Sequence, residues 1–267
     1  MHTELFLIAV AFLACGFFIP LAFYNRDFRI IRTLALSCTM LASLILGIVS
    51  VLILLGGNII AFTAIQPFAG FTLSFVVDRL AAFFLLIIAV VSACVALYAT
   101  EYGEHLGGGC RRNLLAGGMN LFILAMVLVV SSANTLSFFF FWELMAASSF
   151  ILVMYEYDHA ETRKAGIFYF IMTQLSTMFV LFGILALSLQ TGSFSLSAAG
   201  SPATPLIIVA FLSLFTGFSI KGGIIPFHKW LPYAHPASPG PVSALMSGVM
   251  LKIAVYGLVR FLLDVFS

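Results

Sequence analysis

Residues 212–261 read LSLFTGFSIKGGIIPFHKWLPYAHPASPGPVSALMSGVMLKIAVYGLVRF. Two apolar runs flank a stretch from Pro226 to Pro241 that holds five prolines. Proline removes an amide donor and collides with the preceding turn, so no continuous helix crosses this stretch. Both runs carry a lysine within their apolar length, Lys221 and Lys252. Apolar runs of about 20 residues are long enough to cross the ~30 Å hydrocarbon layer of a bilayer as helices.

Reading outward from this stretch, the same pattern recurs along the chain. The predicted spans are 4–24, 33–55, 78–98, 113–133, 135–155, 165–189, 205–225 and 241–264. The 267 residues are 63% hydrophobic and 8% charged, with a mean hydropathy of +1.17, which excludes a water-facing fold. A membrane barrel needs short alternating segments, and these are absent. The fold class is an all-α polytopic membrane protein of about eight transmembrane helices. The first run lacks a basic leader and meets Arg26, Arg29 and Arg32 without a small-residue cleavage site, so it reads as a retained span. No linker divides the chain. It reads as one transmembrane domain over 1–267, with helices one to three in 1–112 and five more in 113–267. No charge run suggests a nucleic-acid partner.

Charge falls on one side. The connections 25–32, 99–112, 156–164 and 226–240 carry Arg26, Arg29, Arg32, Arg111, Arg112, Arg163, Lys164 and Lys229. The intervening connections, 56–77, around 134, and 190–204, have no Lys or Arg; Arg79 and Arg260 lie near helix ends toward that side. The positive-inside rule then places both termini outside. Segment 56–77 is apolar but interrupted by Pro67 and glycines, which predicts an extended or hairpin-like excursion on the outer surface. Gly107–Gly109 lacks the strand, helix and lysine of a phosphate loop. Cys15, Cys38, Cys94 and Cys110 show no spacing that would hold zinc or an iron–sulfur cluster.

Three ionisable residues fall near the middle of spans: Glu143 in helix five, Lys221 in helix seven and Lys252 in helix eight. Burying each without a partner costs at least about 2.5 kcal/mol, so pairing is expected. One reading is a static ion pair that locks two helices; such a pair adds little stability, because desolvation offsets the Coulomb attraction. The other is a lysine whose proton affinity switches as Glu143 approaches and withdraws, which an ammonium permits and a guanidinium does not. The proline-rich stretch is either a tight inner turn or a helix interrupted at membrane depth, as transporters use at ion sites. His228 and His235 lie on its inner side and can pass protons to the lysines or simply bond freed carbonyls. Asp78 opens helix three, where a carboxylate suits the helix dipole. The aromatic stripe Phe138–Phe141 reads as packing or lipid-facing surface.

At these residues the chain resembles the antiporter-like membrane subunits shared by respiratory complex I, multi-subunit cation/proton antiporters and membrane-bound nickel-iron hydrogenases. The resemblance rests on FWELMAASSFILV around Glu143, KGGIIPFHKWLPYAHPASPGPVSALMSGVMLK from Lys221 to Lys252, and YGLVR at Tyr256–Arg260. ALMSGVMLK and HPASPGPVSA look most like formate hydrogenlyase-type membrane subunits. The resemblance implies that Glu143, Lys221 and Lys252 are proton-path residues. It implies an interrupted seventh helix and the first of two inverted five-helix repeats, the second being absent from this chain. It also implies a multi-pass location in the cell's inner (plasma) membrane. The expected partners are further membrane subunits and a peripheral redox arm with iron–sulfur and nickel-iron subunits. The chain itself is expected to hold no cofactor and no metal. A stand-alone antiporter subunit, a complex I-like NADH–quinone oxidoreductase subunit and a non-conducting scaffold stand as alternatives.

Overall fold

A computed structural model describes residues 2–23, 28–68, 71–105, 111–196 and 204–264. Within them lie eight helical spans long and apolar enough to cross a membrane, and the chain is an all-α polytopic membrane protein with one two-stranded hairpin. The order is α1 (His2–Ala22), α2 (Phe28–Gly56), β1 (Ile60–Phe68), β2 (Phe71–Val77), α3 (Arg79–His105), α4 (Arg111–Val130), α5 (Thr135–Val153), α6 (Ala160–Thr191) and α7 (Pro205–Gly222). A tight turn of helix over Phe227–Trp230 then leads into α8 (Leu231–Ala237), and α9 (Gly240–Leu245), a π-helical turn over Met246–Met250 and α10 (Leu251–Asp264) complete the eighth span.

Helix α1 packs on α2 and α4, α2 on α3, α6 on α7, and α7 on α10. Between apolar helices in lipid, close approach and polar contacts replace the hydrophobic drive, and both are visible. A Cβ on Gly217 of α7 would lie 2.8 Å from the Ser176 carbonyl oxygen of α6, and the Ser176 hydroxyl donates to the Gly217 carbonyl at 2.7 Å. Asn120 of α4 ties in α2: the Thr39 hydroxyl donates to its Oδ1 at 2.9 Å, and its Nδ2 donates to the Ala35 carbonyl at 3.2 Å.

The excursion over 56–77 is the antiparallel hairpin β1–β2, as expected from its breakers. Its register shifts between Thr63 and Ile65 and again between Ile65 and Phe68, the second across Pro67, which has no N–H to donate. The hairpin closes one end of the bundle. Val76 N–H donates to the Ser131 carbonyl and Ala133 N–H to the Ser74 carbonyl, while Asn134 caps α5 and donates its amide to the Thr72 carbonyl and the Ser74 hydroxyl, each at 2.7 Å. Thr135 N–H reaches the Phe194 carbonyl. The three connections without Lys or Arg therefore meet at one end of the molecule.

Several expected boundaries move outward. Arg29 and Arg32 belong to α2, Arg111 and Arg112 to α4, and Arg163 and Lys164 to the start of α6; Arg29, Arg163 and Lys164 are exposed, whereas Arg32 is only 8% exposed. The stretch after Pro226 is not a plain turn. Helix α7 stops at Gly222, before the first proline, and the chain becomes helical again over 227–237, with Pro232 in the first turn of α8, where its missing donor costs nothing. Cys110, Gly107–Gly109 and Arg26 lie outside the described residues.

Candidate functional site

The interruption in the seventh span builds the site. At the end of α7, Gly223 adopts φ +68°, Ile224 N–H bonds back to the Ser219 carbonyl, and Gly223 N–H bonds to the Ile220 carbonyl. This is a Schellman closure, which needs a left-handed residue where glycine alone escapes a Cβ penalty. Trp230, buried beyond the break, donates its Nε1 to the same Ile220 carbonyl at 2.9 Å. The Ile220 carbonyl thus accepts a side-chain bond besides the backbone one, which ties the chain beyond the break to the end of α7.

Lys221 sits in the last turn of α7 and is 1% exposed. Its Nζ has no hydrogen-bond partner among the described residues and lies 5.6 Å from the centre of the Tyr169 ring on α6. Glu143, half-buried on α5, is the carboxylate that acts electrostatically on Lys221. Its buried Oε1 is likewise unbonded, so the expected contact ion pair is not formed. An aromatic group joins α5, α7 and α10: Trp142 stacks on Phe138 at 5.6 Å and meets Phe218 edge-on at 5.3 Å, and Phe218 packs against Phe261. Phe138 and Phe141 are core residues and Phe140 is exposed, as expected for a packing and lipid-facing stripe.

Lys252 departs from expectation. It is exposed rather than buried, although Met250, Ile253 and Tyr256 around it on the eighth span are buried. In the π turn, Leu251 N–H bonds back to the Met246 carbonyl, five residues away, and the Lys252 ammonium donates to the Ser247 carbonyl. The Ser247 hydroxyl donates to the Ser243 carbonyl at 2.9 Å, and Ser243 Oγ lies 3.0 Å from His235 Nδ1. His235, Ser243, Ser247 and Lys252 thus form a polar series along one face. His228 is exposed and stands outside it.

Sequence reasoning passed over Tyr169, Trp230 and the pairing of Asp78. Tyr169 Oη lies 2.7 Å from Ser149 Oγ and 3.5 Å from Met250 Sδ. Asp78 caps α3, accepting from Ala81 N–H at 2.9 Å, as its position predicted. It also accepts two hydrogen bonds from Arg260 of α10, at 2.6 and 3.0 Å. Arg260 Nε donates to the Tyr256 hydroxyl, which donates to the Val130 carbonyl at 2.6 Å. Burial pushes the Asp78 carboxyl up, but Arg260 and the Ala81 amide prevail and hold it below the ordinary carboxylate value. No local signal joins residues 78 and 260. No group of three or more metal-ligating side chains is found among the described residues.

The fold and site define a class: a multi-pass helical membrane protein in which an interrupted span holds a buried lysine near a carboxylate of a neighbouring helix. Residues 132–267, just over half of the chain, match the family described as "NADH:quinone oxidoreductase/Mrp antiporter, TM", and residues 65–106 match "NADH-Ubiquinone oxidoreductase (complex I), chain 5 N-terminus". The chain belongs to this family of antiporter-like membrane subunits. It is 33% identical over 204 residues to hydrogenase-4 component B of Escherichia coli, which covers 75% of this chain and 30% of that protein. It is 35% identical over 202 residues to a candidate antiporter subunit, mnhA2, of Staphylococcus haemolyticus, covering 73% of this chain and 25% of that protein. Among solved structures, the Mrp complex from Dietzia sp. superposes with a TM-score of 0.82 at 20% identity, covering 99% of this chain and 49% of that chain. The chain therefore spans less than a third of these two relatives and about half of the Mrp chain.

Proposed function

We propose that the chain is an ion-translocating subunit of a redox-driven membrane complex, of hydrogenase type, in which Glu143, Lys221 and Lys252 carry the proton path and His228 and His235 supply it from the inner side. The observation that supports this reading is the state of Lys221. A static structural pair would close to contact, whereas here a fully buried ammonium and a buried carboxylate oxygen both lack hydrogen bonds. Unpartnered charge at membrane depth is costly and belongs to functional sites. In the proposed cycle, movement of Glu143 relative to Lys221 switches the proton affinity of the lysine. The proton passes through the interior to Lys252 and leaves by way of a partner membrane subunit. Redox chemistry stays with peripheral iron–sulfur and nickel-iron partners, and both termini face outward. Each charge moved fully across costs about 2.3 kcal/mol per 100 mV, which the driving reaction must supply.

The likeness to a candidate antiporter subunit and to an Mrp chain favours a second reading, a cation/proton antiporter subunit using the same residues under a different driving force. Substrate-driven proton uptake into inside-out vesicles holding the whole complex tests both. Collapse of uptake in Lys221→Ala at matched assembly and electron transfer supports the pump. Uptake that needs a sodium gradient and no electron donor supports the antiporter. Unchanged uptake in Lys221→Ala shows that the buried charges are structural.

A further inference from the structure

The Lys221 ammonium is 1% exposed and has no hydrogen-bond acceptor among the described residues. What the surroundings offer it is the longer-range charge of Glu143 and the Tyr169 ring at 5.6 Å, inside the ~6 Å range over which an aromatic face attracts a cation. The ring is held on several sides. Tyr169 is fully buried, its Oη lies 2.7 Å from Ser149 Oγ on the helix that carries Glu143, and its hydroxyl meets Met250 Sδ in the π turn of the eighth span. Its ring packs on Trp230 with centroids 5.1 Å apart, and Trp230 bonds the carbonyl of Ile220, the residue before Lys221. One aromatic pair therefore fixes both the backbone that carries the lysine and the surface beside its head group.

We propose that Tyr169 is a positioning residue for Lys221, and that the face of its ring holds the ammonium while Glu143 is withdrawn. This rests on the reading of Lys221 as a proton-path residue. The ring, not the hydroxyl, performs this role: the hydroxyl is engaged by Ser149 and by a thioether, which cannot pass a proton onward. A ring that cannot follow the lysine gives the cation one defined resting place in a wall with no carboxylate in contact. The lysine is then correctly aimed when the withdrawal of Glu143 lowers its proton affinity and its proton moves on.

The test is proton uptake by the whole complex in vesicles, with residue 169 varied. Tyr169→Phe removes the hydroxyl and keeps the ring, and is expected to retain uptake within about twofold. Tyr169→Leu removes the ring, and is expected to lower uptake about tenfold at matched assembly, the order of effect for a desolvated cation–π contact. Phenylalanine analogues with one, two and three ring fluorines at 169 drain charge from the ring face at nearly constant shape, and uptake is expected to fall stepwise with fluorination. A flat fluorine series overturns the proposal, as does a Phe variant as impaired as the Leu variant. Lys221→Ala is measured alongside. If it pumps normally, the proton-path reading itself fails. If it is dead while the fluorine series is flat, only the role of the ring is lost.

Discussion

Removing the Asp78 carboxylate strands a cation that has no means of discharging. Arg260 is 5% exposed, and its guanidinium gives two hydrogen bonds to Asp78, at 2.6 and 3.0 Å, and one to Tyr256. In Asp78→Ala the two bonds to the carboxylate vanish while the charge remains inside. Breaking one side of a buried pair costs about 3–5 kcal/mol. Because the Asp78 side chain is 29% exposed, water enters the gap and the expected loss is the lower figure, about 3 kcal/mol. Replacing both partners, Asp78→Ala with Arg260→Met, removes the stranded charge as well, so the double variant is expected to lose about 1 kcal/mol or less. Equilibrium unfolding in mixed micelles, read by tryptophan fluorescence, measures both. An Asp78→Ala variant that loses less than about 1 kcal/mol, or a double variant that loses as much as Asp78→Ala alone, refutes the reasoning.

The same pair sets a pH dependence. The folded carboxyl of Asp78 is held below its unfolded value, so its stabilisation is fully present above the ordinary carboxylate value of about 3.9 and is lost as pH falls through the folded value. Melting of the wild type is thus expected to be steady from neutrality to about pH 5 and to drop below about pH 4, with the drop smaller in Asp78→Asn. Trp230→Phe keeps the ring against Tyr169 but removes the bond to the Ile220 carbonyl. A stability loss of about 1 kcal/mol is expected in micelles, with slower uptake in vesicles. Gly217→Ala places a Cβ 2.7 Å from Val180 Cγ2 and 2.8 Å from the Ser176 carbonyl oxygen, and is expected to part α6 from α7 at a cost of about 1–3 kcal/mol, measured by the same unfolding.

Most of the architecture is written in composition. A run of 20 apolar residues has one favourable environment and one way to satisfy its backbone there, so the eight spans follow from the chain alone. The gathering of the basic-free connections at one end follows from their alternation along the sequence. The break after Lys221 was legible because proline acts locally, although the structure moves it back to Gly223 and continues the helix beyond it. The hairpin over 60–77 was legible from its breakers for the same reason.

What the tertiary structure alone decided is the direction each buried charge faces and what it meets there. Spacing along a helix gives a face but not the neighbour of that face. Glu143 and Lys221 are near enough to interact, yet they do not touch. Tyr169, 52 positions from Lys221 in sequence, supplies the ring beside its ammonium, and Lys252 is exposed and bonded to a carbonyl of its own span. Asp78 meets Arg260 across 182 positions of sequence, because hairpin and helix ends converge where the spans return to the same surface. Local sequence chemistry settles which stretches form spanning helices and roughly where they break; the partner of an ionised group depends on how separate helices pack, and that is a property of the assembled fold.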